Sequence, residues 1–87
     1  MPTIPHLLLR AILVAQNIPR AGDALRFSEA VLRDSKNAEN YTLRGLACLL
    51  NDKGTEAKEA FQAAKDAEDS ETATAYVSIA DSALQKT

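Results

Sequence analysis

Cysteine and histidine are nearly absent from this sequence, which contains one residue of each type in 87, Cys48 and His6. A disulfide framework requires an even number of cysteines, so no disulfide can form within the chain. One cysteine and one histidine also cannot supply the four ligands of a structural zinc site. A reducing, cytoplasmic environment is the expectation.

Basic clusters and long apolar runs are also lacking. The ten Lys and Arg residues are scattered and the net charge is −2, whereas nucleic-acid binding requires a clustered basic face. The longest apolar run, residues 7–15, is interrupted by Arg10 and is far shorter than the roughly 20 residues that span a membrane. No basic residue precedes this run, so a secretory signal peptide is not expected. The composition therefore predicts no nucleic-acid partner and no membrane span.

Strand signals are missing too, because no stretch alternates between apolar and polar residues and no Asn-Gly turn occurs. Apolar residues instead recur three and four positions apart, which indicates helices. The predicted helices cover residues 5–16, 23–33, 38–50, 56–67 and about 72–87. Asp23, Asn37, Thr55 and either Ser70 or Thr72 are the expected N-caps. The chain is short enough to form only one domain, so we expect an all-α fold of about five helices.

Residues 41–64 carry the clearest pattern, two helices joined by a tight turn. A shift of about 34 residues, the length of a tetratricopeptide repeat, superimposes this hairpin on the preceding one. The matched pairs are Phe27 with Phe61, Ala30 with Ala64, Arg10 with Arg44, and Ala11 with Gly45. The sequence thus predicts two copies of one helical hairpin. The alternative is an unrelated helical bundle in which Phe and Ala recur by chance.

The pattern resembles a tetratricopeptide-repeat array, a right-handed superhelix of antiparallel helical hairpins. The signature positions of the second repeat are occupied by Tyr41, Gly45, Ala57, Phe61 and Ala64. The resemblance divides the chain into a degenerate repeat at 4–37, a second repeat at 38–71 and a capping helix at 72–87. In this arrangement the small residues allow two helices to approach closely, and the aromatic residues fill the gap to the next helix.

The resemblance also implies a concave groove that holds a peptide or helix of a partner. Its lining would come from the first helix of each hairpin and from the capping helix: Leu8, Ile12, Leu46, Leu49, Leu50, Tyr76 and Ala80. A subgroup of the family clamps a terminal carboxylate with Lys, Asn and Arg, but apolar residues stand at these places here. The expected ligand is therefore an amphipathic helix. The alternative is that Leu46, Leu49 and Leu50 are simply core residues.

In its size, apolar groove and degenerate repeats, the chain is similar to small chaperones of type III secretion. Some of these hold the needle subunit through its amphipathic C-terminal helix, and they often act beside a second small helical co-chaperone. The function implied is that of a cytoplasmic protein-binding module or chaperone. The alternative is a scaffold or adaptor subunit that acts by self-association through the same apolar surface.

The polar residues show no convergent chemistry, so we expect neither an enzyme nor a bound cofactor or metal. His6 stands alone near the N-terminus, and Cys48 is expected to be an inert buried thiol. The carboxylates between residues 66 and 71 lack the alternating spacing of a calcium loop. Arg10 and Arg44 recur at the same repeat position and are expected to pair with acidic residues of neighbouring helices.

Overall fold

The computed structural model describes residues 21–86. Four α-helices follow one another in this part of the chain: α1 (Ala21–Asp34), α2 (Ala38–Leu50), α3 (Gly54–Asp66) and α4 (Thr74–Lys86). No strand occurs among the described residues, and the all-α prediction is confirmed for them. The predicted helix at residues 5–16 lies outside the described part, as do Leu8 and Ile12.

Helix α2 lies at the centre of the arrangement, because it packs against each of the other three helices. Helices α2 and α3 form an antiparallel hairpin joined by residues 51–53, and α4 packs against both of them. This order of contacts agrees with the hairpin packing that the repeat pattern predicts.

The close approach of α2 and α3 depends on Gly45. A Cβ atom built on Gly45 would lie 2.6 Å from Cδ1 of Phe61 and 2.7 Å from Cζ of the same ring. Real Cβ atoms do not approach carbon this closely, so the ring occupies space that only glycine leaves free. The Phe61 side chain is fully buried, with Cys48, Ala57, Ala64 and Ala80 around it. The predicted close approach of the helices at Gly45 and the predicted burial of the Phe61 ring are confirmed.

Asn37 is the N-cap of α2, as the sequence predicts. Its backbone is extended (φ −112°, ψ 171°), and its Oδ1 accepts a hydrogen bond from the backbone N–H of Asn40 at 2.8 Å. This is the N-cap arrangement in which a side-chain oxygen satisfies a donor that has no partner within the helix.

The other three predicted caps are wrong. Asp23 lies inside the first turn of α1, where it pairs with Arg26. Helix α3 begins at Gly54, one residue before Thr55, and follows Lys53, whose side chain makes no capping hydrogen bond. The last helix begins at Thr74 because residues 68–72 form turns, with the Thr72 hydroxyl donating to the backbone oxygen of Asp69 at 3.0 Å.

Two polar contacts connect the start of α2 with the segment around α4. The Ala38 backbone N–H donates to Oδ1 of Asp69, 31 residues away, at 2.9 Å. The buried Thr42 hydroxyl donates to the Ala38 carbonyl at 2.8 Å and lies 3.4 Å from the carbonyl oxygen of Tyr76. These contacts fix the end of α2 that is closest to the α3–α4 turn.

The two alanines at the matched repeat positions differ in burial. Ala64 is fully buried, but its predicted counterpart Ala30 is exposed. The buried residues of α1 are instead Ala24 and Ser28, and the Ser28 hydroxyl donates to the Leu25 carbonyl at 2.7 Å. Ala30 lies two positions beyond Ser28, about 200° around the helix, so it points away from the side on which Ser28 is buried.

Candidate partner-binding surface

An apolar stripe runs along one side of α2. Leu43, Leu46 and Leu50 recur at intervals of three and four residues, which places them on one helical face. Leu43 is buried, Leu46 is half-buried, and Leu50 is 45% exposed. The stripe therefore passes from the core to the surface towards the C-terminal end of α2.

Neighbouring helices extend this stripe on both sides. Phe27 and Val31 of α1 and Tyr76 of α4 pack against Leu43 together with Leu46, and all four are only partly buried. Leu49, which is 38% exposed, lies beside Leu50 at the end of α2. We call the six partly buried or exposed members of this surface the apolar face: Phe27, Val31, Leu46, Leu49, Leu50 and Tyr76.

The structure places five of the seven residues predicted to bind a partner, and these fall into three groups; Leu8 and Ile12 lie outside the described residues. Leu49 and Leu50 are exposed, whereas Leu46 and Tyr76 are half-buried. Ala80 is fully buried in the core cluster with Phe61 and Cys48, so its assignment to the groove surface is corrected. Its methyl group faces the α2–α3 hairpin, where a small residue lets α4 approach.

Two members of the apolar face were not among the predicted binding residues. Phe27 and Val31 stand four positions apart on α1, a spacing that indicates a shared helical face. Sequence reasoning assigned Phe27 to internal packing, as the repeat pattern implies. The partial exposure of Phe27 and Val31 depends on the angle between α1 and α2. This angle cannot be read from the sequence.

A second surface lies between α1 and α2. A shallow cleft of about 270 Å³ is lined by Glu29, Leu32, Arg33, Lys36 and Arg44. Nη1 of Arg44 lies 3.0 Å from Oε2 of Glu29, so the predicted pairing of Arg44 with an acidic residue of a neighbouring helix is confirmed. Arg44 and Leu46 are separated by about 200° around α2, and the cleft therefore faces away from the apolar face.

Cys48 is the only cysteine and has no accessible surface. Burial raises the pKa of its thiol above the ordinary value, an effect larger than the opposing influence of the Arg44 guanidinium. A raised pKa keeps the thiol protonated and weakly nucleophilic at neutral pH. Within residues 21–86, no three His, Cys, Asp or Glu side chains are placed to share a metal ion.

Comparisons with known proteins identify no relative of this chain. No family model, curated protein or solved structure matches the chain. Among the described helices, none combines the length and apolar character needed to cross a membrane.

Proposed function

We propose that this chain is a protein-binding module of the tetratricopeptide type that holds an amphipathic helix of a partner on its apolar face. The observation that carries the proposal is the exposure of Leu49 and Leu50 at the end of the apolar face, whose other members are only partly buried. The hairpin core does not need these two side chains, because Phe61, Cys48 and the alanines around them fill it.

The chemistry of the face favours a helical ligand. Its side chains are aliphatic or aromatic and include no cation that would clamp a terminal carboxylate, so recognition must come from apolar contact. Each leucine of the partner that becomes buried contributes about 1.5–3 kcal/mol. Association itself costs at least several kcal/mol, so three or four such anchors are needed for useful affinity. An amphipathic helix presents anchors at this density.

The finer proposal is a cytoplasmic chaperone for the needle subunit of a type III secretion system. It would hold the amphipathic C-terminal helix of that subunit, which otherwise drives polymerisation of the subunit. This proposal is supported by the small size of the chain, the repeat pattern and the apolar face. Because exposed apolar surface promotes association, the isolated protein is expected to be poorly soluble or to self-associate. Adding the partner helix should reverse this behaviour.

Leu50→Glu provides the sharpest test, because Leu50 is more exposed than Leu46 and its replacement leaves the core intact. The variant is expected to remain folded by circular dichroism and to lose at least tenfold in affinity, since one lost leucine anchor corresponds to about 1.5–3 kcal/mol. Thr55→Glu is the matched control, because it adds the same charge at an exposed position in the first turn of α3. The probe is a synthetic peptide of the C-terminal helix of a needle subunit, followed by isothermal calorimetry.

The outcomes separate the candidate functions. Binding of the needle peptide that Leu50→Glu removes and Thr55→Glu retains supports the chaperone. Binding of other amphipathic helices but not of the needle peptide supports a module with a different partner. Light scattering over a dilution series that shows a Leu50-dependent oligomer supports self-assembly. A stable monomer that binds none of these helices would refute the proposed function.

A further inference from the structure

The cleft between α1 and α2 carries a surplus of positive charge. Its lining includes three cationic side chains, Arg33, Lys36 and Arg44, and one carboxylate, Glu29. Glu29 is paired with Arg44. Arg33 and Lys36 are exposed, and among the described residues no carboxylate lies within ion-pair distance of either. Two positive charges on the cleft therefore remain uncompensated.

Two carbonyl groups near the end of helix α1 are satisfied by amides and not by these two cations. Cations near a helix C-terminus often compensate its unpaired carbonyl groups. Here the Val31 carbonyl accepts from the Ser35 backbone N–H at 2.9 Å and from Nδ2 of Asn40 at 3.2 Å. The same Asn40 amide donates to the Ser35 carbonyl at 2.8 Å. Amide groups thus satisfy the Val31 and Ser35 carbonyls without the Arg33 and Lys36 side chains, which are exposed to solvent.

The cleft combines this charge with an apolar component. Leu32 is half-buried and contributes to the lining between the cations. A volume of about 270 Å³ is below that of a typical small-molecule pocket and suits one or two side chains. A ligand that matches these features carries carboxylates next to an apolar side chain.

We propose that this cleft is a second docking site, which binds a short acidic peptide segment containing both glutamate or aspartate and leucine-like residues. Carboxylates of the segment pair with Arg33 and Lys36, and its apolar residue rests on Leu32. A nucleic-acid backbone fits less well, because Glu29 places a negative charge inside the cleft and the whole chain has a net charge of −2. The site faces away from the apolar face, so it is independent of the proposed function and allows a second segment to bind at the same time.

The test is a titration of the full-length 15N-labelled protein, followed by amide chemical shifts, which report weak binding residue by residue. The probe is the blocked hexapeptide Leu-Glu-Glu-Leu-Glu-Glu, and the matching peptide with glutamine at every glutamate position is the ligand control. The acidic peptide is expected to shift the amides around Arg33, Lys36 and Arg44 in a saturable manner that weakens with added salt.

A pair of double variants tests the two cations. Arg33→Gln/Lys36→Gln is expected to raise the dissociation constant about three- to tenfold, as the loss of two surface ion pairs implies. Lys53→Gln/Lys58→Gln removes the same net charge from exposed positions outside the cleft and is expected to change it less than twofold. The spectrum of each variant shows whether its fold is retained.

Four results would overturn the proposal. The glutamine peptide could shift the same amides to the same extent, or the acidic peptide could shift only Leu46, Leu49 and Leu50. Saturable shifts could be absent up to several millimolar peptide. Inorganic phosphate could reproduce the shifts with equal affinity, which would reduce the cleft to a small-anion site.

Discussion

The Gly45 Cα position faces the Phe61 ring so directly that an added methyl group would overlap three ring carbons. Gly45→Ala is therefore expected to destabilise the protein by about 2 kcal/mol. Overpacking of a full core costs roughly 1–3 kcal/mol, and the better helix propensity of alanine returns about 1 kcal/mol at most. Urea unfolding monitored by circular dichroism measures the difference.

Gly54→Ala is the control for this substitution, because no atom lies within 4 Å of a Cβ built at Gly54. It is expected to be neutral or stabilising by up to about 1 kcal/mol. Equal effects of the two substitutions would show that the Gly45–Phe61 contact is not restrictive.

Asp69 connects the α3–α4 turn to the start of α2 through the Ala38 backbone N–H. Asp69→Ala removes the acceptor of a partly buried donor, so we expect a loss of about 1–2 kcal/mol in the free energy of unfolding. Asp69→Asn should lose less, because its amide oxygen can still accept. Thermal unfolding provides the comparison, with the exposed Glu68→Ala expected to stay within about 0.5 kcal/mol of the parent. A similar loss in both alanine variants would contradict the connecting role.

Asp52 adopts a left-handed backbone conformation, with φ 57°, in the turn between α2 and α3. Glycine takes up this conformation without steric cost, so Asp52→Gly is expected to stabilise the protein by about 0.5–1 kcal/mol. Asp52→Ala is expected to destabilise it by a similar amount, because alanine tolerates this region less well than aspartate. The midpoints of urea unfolding should follow the order Gly, Asp, Ala, and a reversed order would count against backbone strain at this position.

Cys48 should resist alkylation in the folded protein, because its side chain has no accessible surface and burial raises its pKa. Iodoacetamide at pH 8 is expected to label it slowly in buffer and rapidly in strong denaturant, as mass spectrometry can follow. Labelling at the rate of a free thiol in native buffer would show that the hairpin opens readily.

The raised pKa of Cys48 makes the free energy of unfolding depend on pH. Above about pH 8.5, the usual pKa of an unfolded cysteine, the unfolded state loses the thiol proton first. The free energy of unfolding then falls as pH rises, whereas the thiol contributes no pH dependence below that range. Cys48→Ala should lack this component of the decline, and an identical pH profile in both proteins would contradict the assignment.

Much of the α2–α3 hairpin could be predicted from the sequence. The residue types of Gly45, Phe61 and Ala64, two small residues and one aromatic, indicate close packing of two helices. Asn37 is a residue type that often caps helices, and it stands directly before the first residue of α2. Two caps were predicted incorrectly because other local interactions compete with capping. Asp23 is used in an ion pair within the first turn, and the 67–73 segment makes turns stabilised by Asp69 before α4 can begin.

The candidate surface could be predicted only in part, because exposure depends on how helices are inclined. Helical spacing indicates that Leu46 and Leu50 share a face, but it does not show that Leu50 is exposed while Ala80 is covered completely. The basic cleft was missed for a similar reason. Arg33 and Lys36 are close to Arg44 only because α1 and α2 fold back on each other across a three-residue connection.

The central position of α2 has a kinetic consequence. Among the described helices, α2 contacts α1 and α3, its immediate neighbours along the chain, and α4, one helix further on. Loops between such neighbours are short, so little chain entropy is lost before each contact forms. Proteins built from local helical contacts of this type fold within microseconds to milliseconds, and stopped-flow or temperature-jump refolding should place this domain in that range.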